Sequence, residues 1–136
     1  MTNTAKTLTF VIPAYNMESY LDRCVNSLLS ASDTRDLEVL IVDDGSKDGT
    51  LEYARKLERT NPGVVRAIHQ ENKGHGGAVN TGIAAATGMY VKVVDADDWV
   101  DPQAIDTVLA TLRAQREASE PIDMLVTNYE IGREHV

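Results

Sequence analysis

Five short apolar runs, spaced by stretches of helical periodicity, constrain this chain more than any other feature. The runs are LTFVI (Leu8–Ile12), LEVLIVD (Leu37–Asp43), VVRAIH (Val64–His69), YVKVVD (Tyr90–Asp95) and DMLVT (Asp123–Thr127). They are short, rich in β-branched residues and only weakly alternating, the pattern of parallel strands covered on both faces. Between them Leu21, Cys24, Val25, Leu28 and Leu29 mark one helix face, with Asn16 as its expected N-cap. Leu51, Ala54 and Leu57 mark a second helix, with Ser46 or Asp48 as cap. Ala78, Gly82, Ile83 and Ala86 mark a third, whose small residues allow close packing on a sheet. Ile105, Val108, Leu109 and Leu112 mark a fourth, opening on Asp101 as cap and Pro102 at the first helical position.

Strict alternation of strand and helix predicts an open, mostly parallel, twisted α/β sheet with helices on both faces. In such sheets ligands bind beyond the carboxyl ends of the strands. The segments after the first four runs are PAYN, DDGSKDGT, QENKGHGGAVN and DADDW. All are polar, glycine-rich or acidic, and all are expected at one edge. The 136 residues fit one domain, with no repeat, linker or low-complexity segment.

Charge excludes one class of partner. Asp plus Glu is 21 against 13 for Lys plus Arg, a formal charge of -8, and no basic run appears. Sequence-independent nucleic-acid binding needs a positive surface. Cys24 is the only cysteine, expected in the core and suited to a reducing compartment. No signal-like or membrane-spanning apolar stretch occurs.

The acidic stretch Val93–Asp101 carries Asp95, Asp97, Asp98 and Asp101 at the end of an apolar run. Anions this close raise one another's pKa unless a cation offsets them. Hard divalent ions take oxygen ligands, and Mg2+ or Mn2+ often binds through one or two carboxylates plus substrate phosphates. An Asp-x-Asp beside a glycine-rich anion site is what a metal–diphosphate complex requires. Trp99 either packs under this loop or lines a sugar pocket. The segment Asn72–Asn80 opens a helix through glycines, which leaves backbone N–H groups to meet an anion. Lys73 and His75 are its candidate phosphate contacts. It is not a dinucleotide fingerprint, because Val79 stands where that pattern needs glycine. Nor is Val42–Thr50 a calcium loop: Asp44, Ser46, Asp48 and Gly49 match its start, but Arg55 stands where a bidentate Glu is required. No Ser/His/Asp order and no zinc spacing is evident.

Taken together, TFVIPAYNMESYLDRCVNSLL, LEVLIVDDGSKDGT and NKGHGGAVNTGIAAATGMYVKVVDADDWVDP resemble the family 2 glycosyltransferases of GT-A fold over about residues 8 to 102. The resemblance implies that residues 1–136 are the Rossmann-like, nucleotide-sugar-binding half of a truncated GT-A domain. It implies a metal-dependent, inverting transfer of sugar from a nucleotide diphosphate sugar, expected to be a UDP-sugar, to an acceptor hydroxyl in cell-envelope or polysaccharide synthesis. Pro13, Ala14 and Tyr15, with Glu18 nearby, would lie against base and ribose. Asp44 would read the base. Lys73, Gly74 and His75 would meet phosphate. Asp95, Ala96 and Asp97 would hold ribose and the metal-bound diphosphate, with Mn2+ or Mg2+ as cofactor and Asp97 the favoured metal ligand, Asp95 or Asp98 the alternatives.

Two departures from the family pattern bear on chemistry. The frequent ARN of the glycine-rich segment is Ala78, Val79, Asn80, so one cationic phosphate contact is missing. The acceptor half and its general base are expected outside this chain. Glu130 and Glu134 follow the fifth run, but nothing marks either as that base. The acceptor is expected to be a saccharide or lipid-linked, and the location cytoplasmic or at the inner face of the membrane, with peripheral attachment and oligomers both open. The rival readings are a non-catalytic nucleotide-sugar module, a nucleotidyltransferase and a dinucleotide-binding oxidoreductase. A nucleotidyltransferase would carry a basic glycine-rich loop after the first strand, which PAYNMES lacks.

Overall fold

The computed structural model describes residues 6–118, 120, 123 and 131–133. In chain order the elements are β1 (Leu8–Ala14), α1 (Leu21–Leu29), β2 (Leu37–Asp44), α2 (Thr50–Thr60), β3 (Val65–Gln70), α3 (Gly74–Ala85), β4 (Tyr90–Val93), β5 (Asp98–Val100), α4 (Pro102–Glu117) and β6 (Ile131–Arg133). The first four strands form one parallel sheet in the order β3-β2-β1-β4. Strand order therefore reverses between β1 and β4. Chain leaving those two neighbours diverges, and the crevice so opened is where α/β sheets bind ligands.

Period-two alternation divides the core. Leu8, Phe10, Ile12 and Ala14 of β1 and Leu37, Val39 and Ile41 of β2 pack with α1, α2 and α4 residues in the larger apolar cluster. Val11, Leu40 and Val42 point to the other face, where they meet Ala78 of α3. The same alternation separates two consecutive aspartates. Asp43 shares the face of Ile41, and Asp44 shares that of Val42 and α3. In parallel register Asp43 lies beside His69 and Asp44 beside Gln70.

Several expectations change. The N-cap of α1 is Tyr20, without a side-chain cap bond, and Asn16 instead adopts φ 53 in the loop before it. Its polar side chain tolerates that left-handed turn and is used to tie two loops together. At α2 the cap position is Gly49, although Asp48 does accept the Thr50 N–H at 2.9 Å. Ile83 is 49% exposed, so α3 meets the sheet through Ala78 and Gly82, both buried, with Ala85 partly buried against them. The Tyr90 strand stops at Val93, because the carboxylates that follow need solvent or partners that a ladder interior does not supply. In this strand Tyr90 and Val93 are half-buried and Val91 and Lys92 exposed, so it is not covered on both faces. Two further strands were not anticipated: β5 pairs antiparallel with β6. The strand expected at Asp123–Thr127 lies, beyond Asp123, outside the described residues, as do Glu130 and Glu134.

The fourth helix matches its sequence signals. Asp101 accepts the Gln103 N–H at 3.0 Å, Pro102 follows, and Ile105, Leu109 and Leu112 are buried. Arg113 ties this helix to the loop before β2. Its guanidinium donates to both carboxylate oxygens of Asp36, at 2.6 to 3.1 Å, and to the Asp33 carbonyl.

Candidate functional site

The carboxyl ends of β1 to β4 meet at one edge, and the loops beyond them are locked to each other. The Asn16 N–H donates to Ser46 Oγ, and the Lys47 N–H donates back to Asn16 Oδ1. The Met17 N–H donates to Thr50 Oγ1 and the Gly49 N–H to Glu18 Oε1. Glu18 thus serves at the N-terminus of α2, and its carboxylate is already engaged there. Pro13 and Ala14 are buried within β1, while Tyr15 at its end is 40% exposed.

Asp44 is the hub of the next layer. Only 3% exposed, it accepts Gln70 Nε2 at 3.0 Å and the Lys73 N–H at 2.7 Å, and the Gly74 N–H also donates to it. Burial pushes its carboxyl up, but these donors outweigh burial and hold it below the usual aspartate range. Asp44 therefore caps α3 from a neighbouring strand. This alters one expectation: the first N–H groups of the glycine-rich segment are spent on Asp44 instead of standing free for an anion. Lys73 and His75 are both exposed, so their side chains lie at the surface beside that capped turn. Gly45 makes the close approach possible. It holds φ +74, and a Cβ there would stand 2.8 Å from the Asn72 backbone N.

Gln70 and Asn72 were quoted in the sequence but not assigned. Asn72 Nδ2 donates to the Asp44 carbonyl at 3.0 Å. Gln70 turns its Nε2 to Asp44, which leaves Oε1 as a buried side-chain acceptor without a partner among the described residues. Asp43, also missed, accepts the Ser46 N–H and pairs with His69 Nδ1 at 2.8 Å. The signal for these contacts is strand register, which a single sequence does not supply.

The acid loop follows β4, on the other side of β1 from β2. Asp95 is exposed, Ala96 buried, Asp97 half-buried and Asp98 5% exposed. Asp95, Asp97 and Asp98 each bring a carboxylate oxygen within 4.8 Å of the others. An all-carboxylate oxygen set of this kind fits a hard divalent cation such as Mg2+ or Mn2+ and suits neither zinc nor a soft metal. The loop rests on α1. Cys24 Sγ donates to the Asp95 carbonyl at 3.6 Å, and the Val100 N–H donates to Ser27 Oγ at 3.1 Å. Burial, then the charges of Asp98, Asp97 and Asp95, push the Cys24 thiol up to about 12, so it is a neutral S–H donor. Trp99 is half-buried and carries the Arg23 guanidinium 4.5 Å from its ring centre. Among the described residues no helix is long and apolar enough to cross a membrane.

The chain is similar in sequence and fold to known proteins. Chondroitin synthase from Escherichia coli is 41% identical over 123 residues, 90% of this chain and 17% of that protein. Staphylococcus aureus TarS 1-349, crystallised in complex with UDP, superposes with a TM-score of 0.71 at 27% identity, over 81% of this chain and 33% of that one. The mannosyltransferase PcManGT from Pyrobaculum calidifontis, in complex with GDP-Man and Mn2+, gives 0.69 at 28% identity, over 80% of this chain and 32% of that one. The chain spans about a third or less of each. The family model for glycosyl transferase family 2 matches residues 9–120. With that match covering most of its length and its fold shared with these transferases, the chain belongs to glycosyl transferase family 2.

Proposed function

We propose that this chain is the nucleotide-sugar-binding part of a metal-dependent, inverting glycosyltransferase that takes a UDP-sugar as donor. The observation that carries the reading is the cluster of Asp95, Asp97 and Asp98, whose carboxylate oxygens lie within 4.8 Å of one another after β4, on the other side of β1 from the β2 end that carries Asp44. Mn2+ or Mg2+ would be held there by Asp97, with Asp95 or Asp98, and would neutralise charge on the departing diphosphate. The chain's own residues bind and orient. Tyr15, at the end of Pro13 and Ala14, offers a face to the base. The donors on Asp44 leave one of its roughly four acceptor positions for a base N–H such as that of uracil. Lys73 and His75, with Gly74 between them, flank the phosphate side. In this reading the acceptor is a saccharide or lipid-linked glycan of the cell envelope. The base that takes its proton lies outside residues 1–136, and the protein works in the cytoplasm or at the inner face of the membrane.

Calorimetry with UDP, with and without Mn2+, tests the assignment. Binding should need the metal, and Asp97→Ala should weaken metal-dependent binding more than the same change at Asp95 or Asp98. Equal UDP affinity in excess chelator would sink the metal reading. Asp44→Ala should reduce the preference for UDP over CDP, because cytosine lacks the donor that uracil presents. A GDP-sugar is the second reading, favoured by the GDP-Man complex among the structural relatives. Tighter binding of GDP than of UDP would select it.

A further inference from the structure

The acid loop is short and carries its carboxylates on backbone that their mutual repulsion tends to spread. What opposes that spreading comes from one helix. At the start of the loop the Asp95 carbonyl accepts both the Asp98 N–H, at 3.0 Å, and the Cys24 thiol. Beyond the loop the Val100 N–H is taken by Ser27 Oγ, whose own proton goes to the Cys24 carbonyl at 2.7 Å. Residues 24 and 27 are three apart and therefore neighbours on the buried side of α1. Arg23, exposed on the adjacent side, stacks on Trp99 between those two anchor points. One turn of helix thus grips the loop at its beginning, its end and one residue between.

We propose that this turn of α1 gauges the acid loop: Cys24, Ser27 and Arg23 are positioning residues that set the carboxylate spacing for the divalent cation. The inference rests on the metal reading above and goes beyond it by assigning the spacing to side chains that touch neither metal nor nucleotide. Groups behind the ligands of a metal site typically change its affinity by about 10- to 100-fold when removed. Here they act through the backbone of the ligand-bearing loop, so the expected loss is at the lower end, about tenfold.

The test separates gauging from general support of the fold. Free Mn2+ is followed by electron paramagnetic resonance during titration of the UDP-saturated chain, and thermal midpoints are taken without metal. Ser27→Ala and Cys24→Ala should each weaken Mn2+ binding about tenfold. Ser27→Thr, which keeps the hydroxyl, should restore most of it. Arg23→Ala, an exposed change that leaves the core intact, should weaken Mn2+ several-fold with an unchanged midpoint. Leu57→Ala, in the same apolar cluster but on α2, should lower the midpoint at least as much as Ser27→Ala and leave Mn2+ affinity alone. Native affinity retained within about twofold in the Ser27, Cys24 and Arg23 variants would overturn the gauge while leaving the metal site standing. A native chain that binds no Mn2+ would overturn the metal reading and the gauge with it.

Discussion

Gly82 shows how narrowly one atom is fitted. A Cβ there would overlap Val11 Cγ1, with Cγ2 at 3.2 Å, and Val11 is wholly buried between strand and helix. Valine has a single stiff torsion and cannot swing its methyls away. Two effects oppose each other in Gly82→Ala. Helix propensity favours alanine by about 1 kcal/mol, and overpacking a close-packed core costs about 1–3 kcal/mol. The clash should win by roughly 1 kcal/mol, measured as a lower urea midpoint. Trimming the obstacle eases the clash: in a Val11→Ala background only the residue 11 Cβ, at 3.3 Å, still crowds the added methyl, and Gly82→Ala should cost less than in the native chain. The small residues on the third helix were legible in the sequence as a close-packing signal. Their partner on β1 was not, because a pattern of small residues says that something comes near without saying what. Asp44 teaches the same lesson. Its place at a strand end was legible, but its bonds to Gln70, Lys73 and Gly74 follow from register and from a helix that begins on another segment.

Among the elements, α4 best illustrates a tether that depends on charge. Hydrogen bonds from Arg113 hold the Asp36 carboxyl low; burial opposes them, and the Thr7 hydroxyl adds to them, for a value of about 2 against the ordinary 3.8. A carboxyl lowered on folding adds stability that is complete above its unfolded value and fades as pH falls through its folded value. Asp36→Asn should therefore unfold more easily than the native chain at neutral pH. The difference should shrink between about pH 4 and about pH 2, as urea titrations at stepped pH would record. A gap that stays constant over that range would mean that the carboxylate's charge contributes nothing. This helix was readable from end to end, since its cap, its proline and its apolar stripe are all local. The start of α1 was misread because Asn16 serves the neighbouring loop through Ser46 and Lys47. Local chemistry predicts local caps; it is silent where a side chain is recruited across the fold. The pairing of β5 with β6 escaped for a related reason, since a strand of three residues carries too little pattern to be seen.

For the molecule as a whole, the candidate site is assembled from the ends of separate strands, so a ligand that touches several of its loops would stabilise the sheet beneath them. A ligand bound at about a hundred times its Kd adds roughly 2.7 kcal/mol to a folded state that alone can bind it. For a domain of this size that corresponds to a rise of roughly 10 °C in Tm. UDP with Mn2+ should produce such a shift, and UDP with chelator should not; differential scanning calorimetry reads both. Fold class and the edge that carries the site were legible because alternation of strand and helix leaves few topologies open. The order β3-β2-β1-β4 puts the acid loop after β4 and Asp44 at the end of β2 on opposite sides of β1, which the sequence-based alternation could not specify.

The capping of α3 by Asp44 has a spectroscopic consequence. The amide protons of Lys73 and Gly74 both end on that carboxylate. Their chemical shifts and their exchange with solvent register whatever approaches Asp44, even a ligand that touches neither residue. The first turn of α3 is in that sense a built-in probe, wired to the pocket through a single side chain.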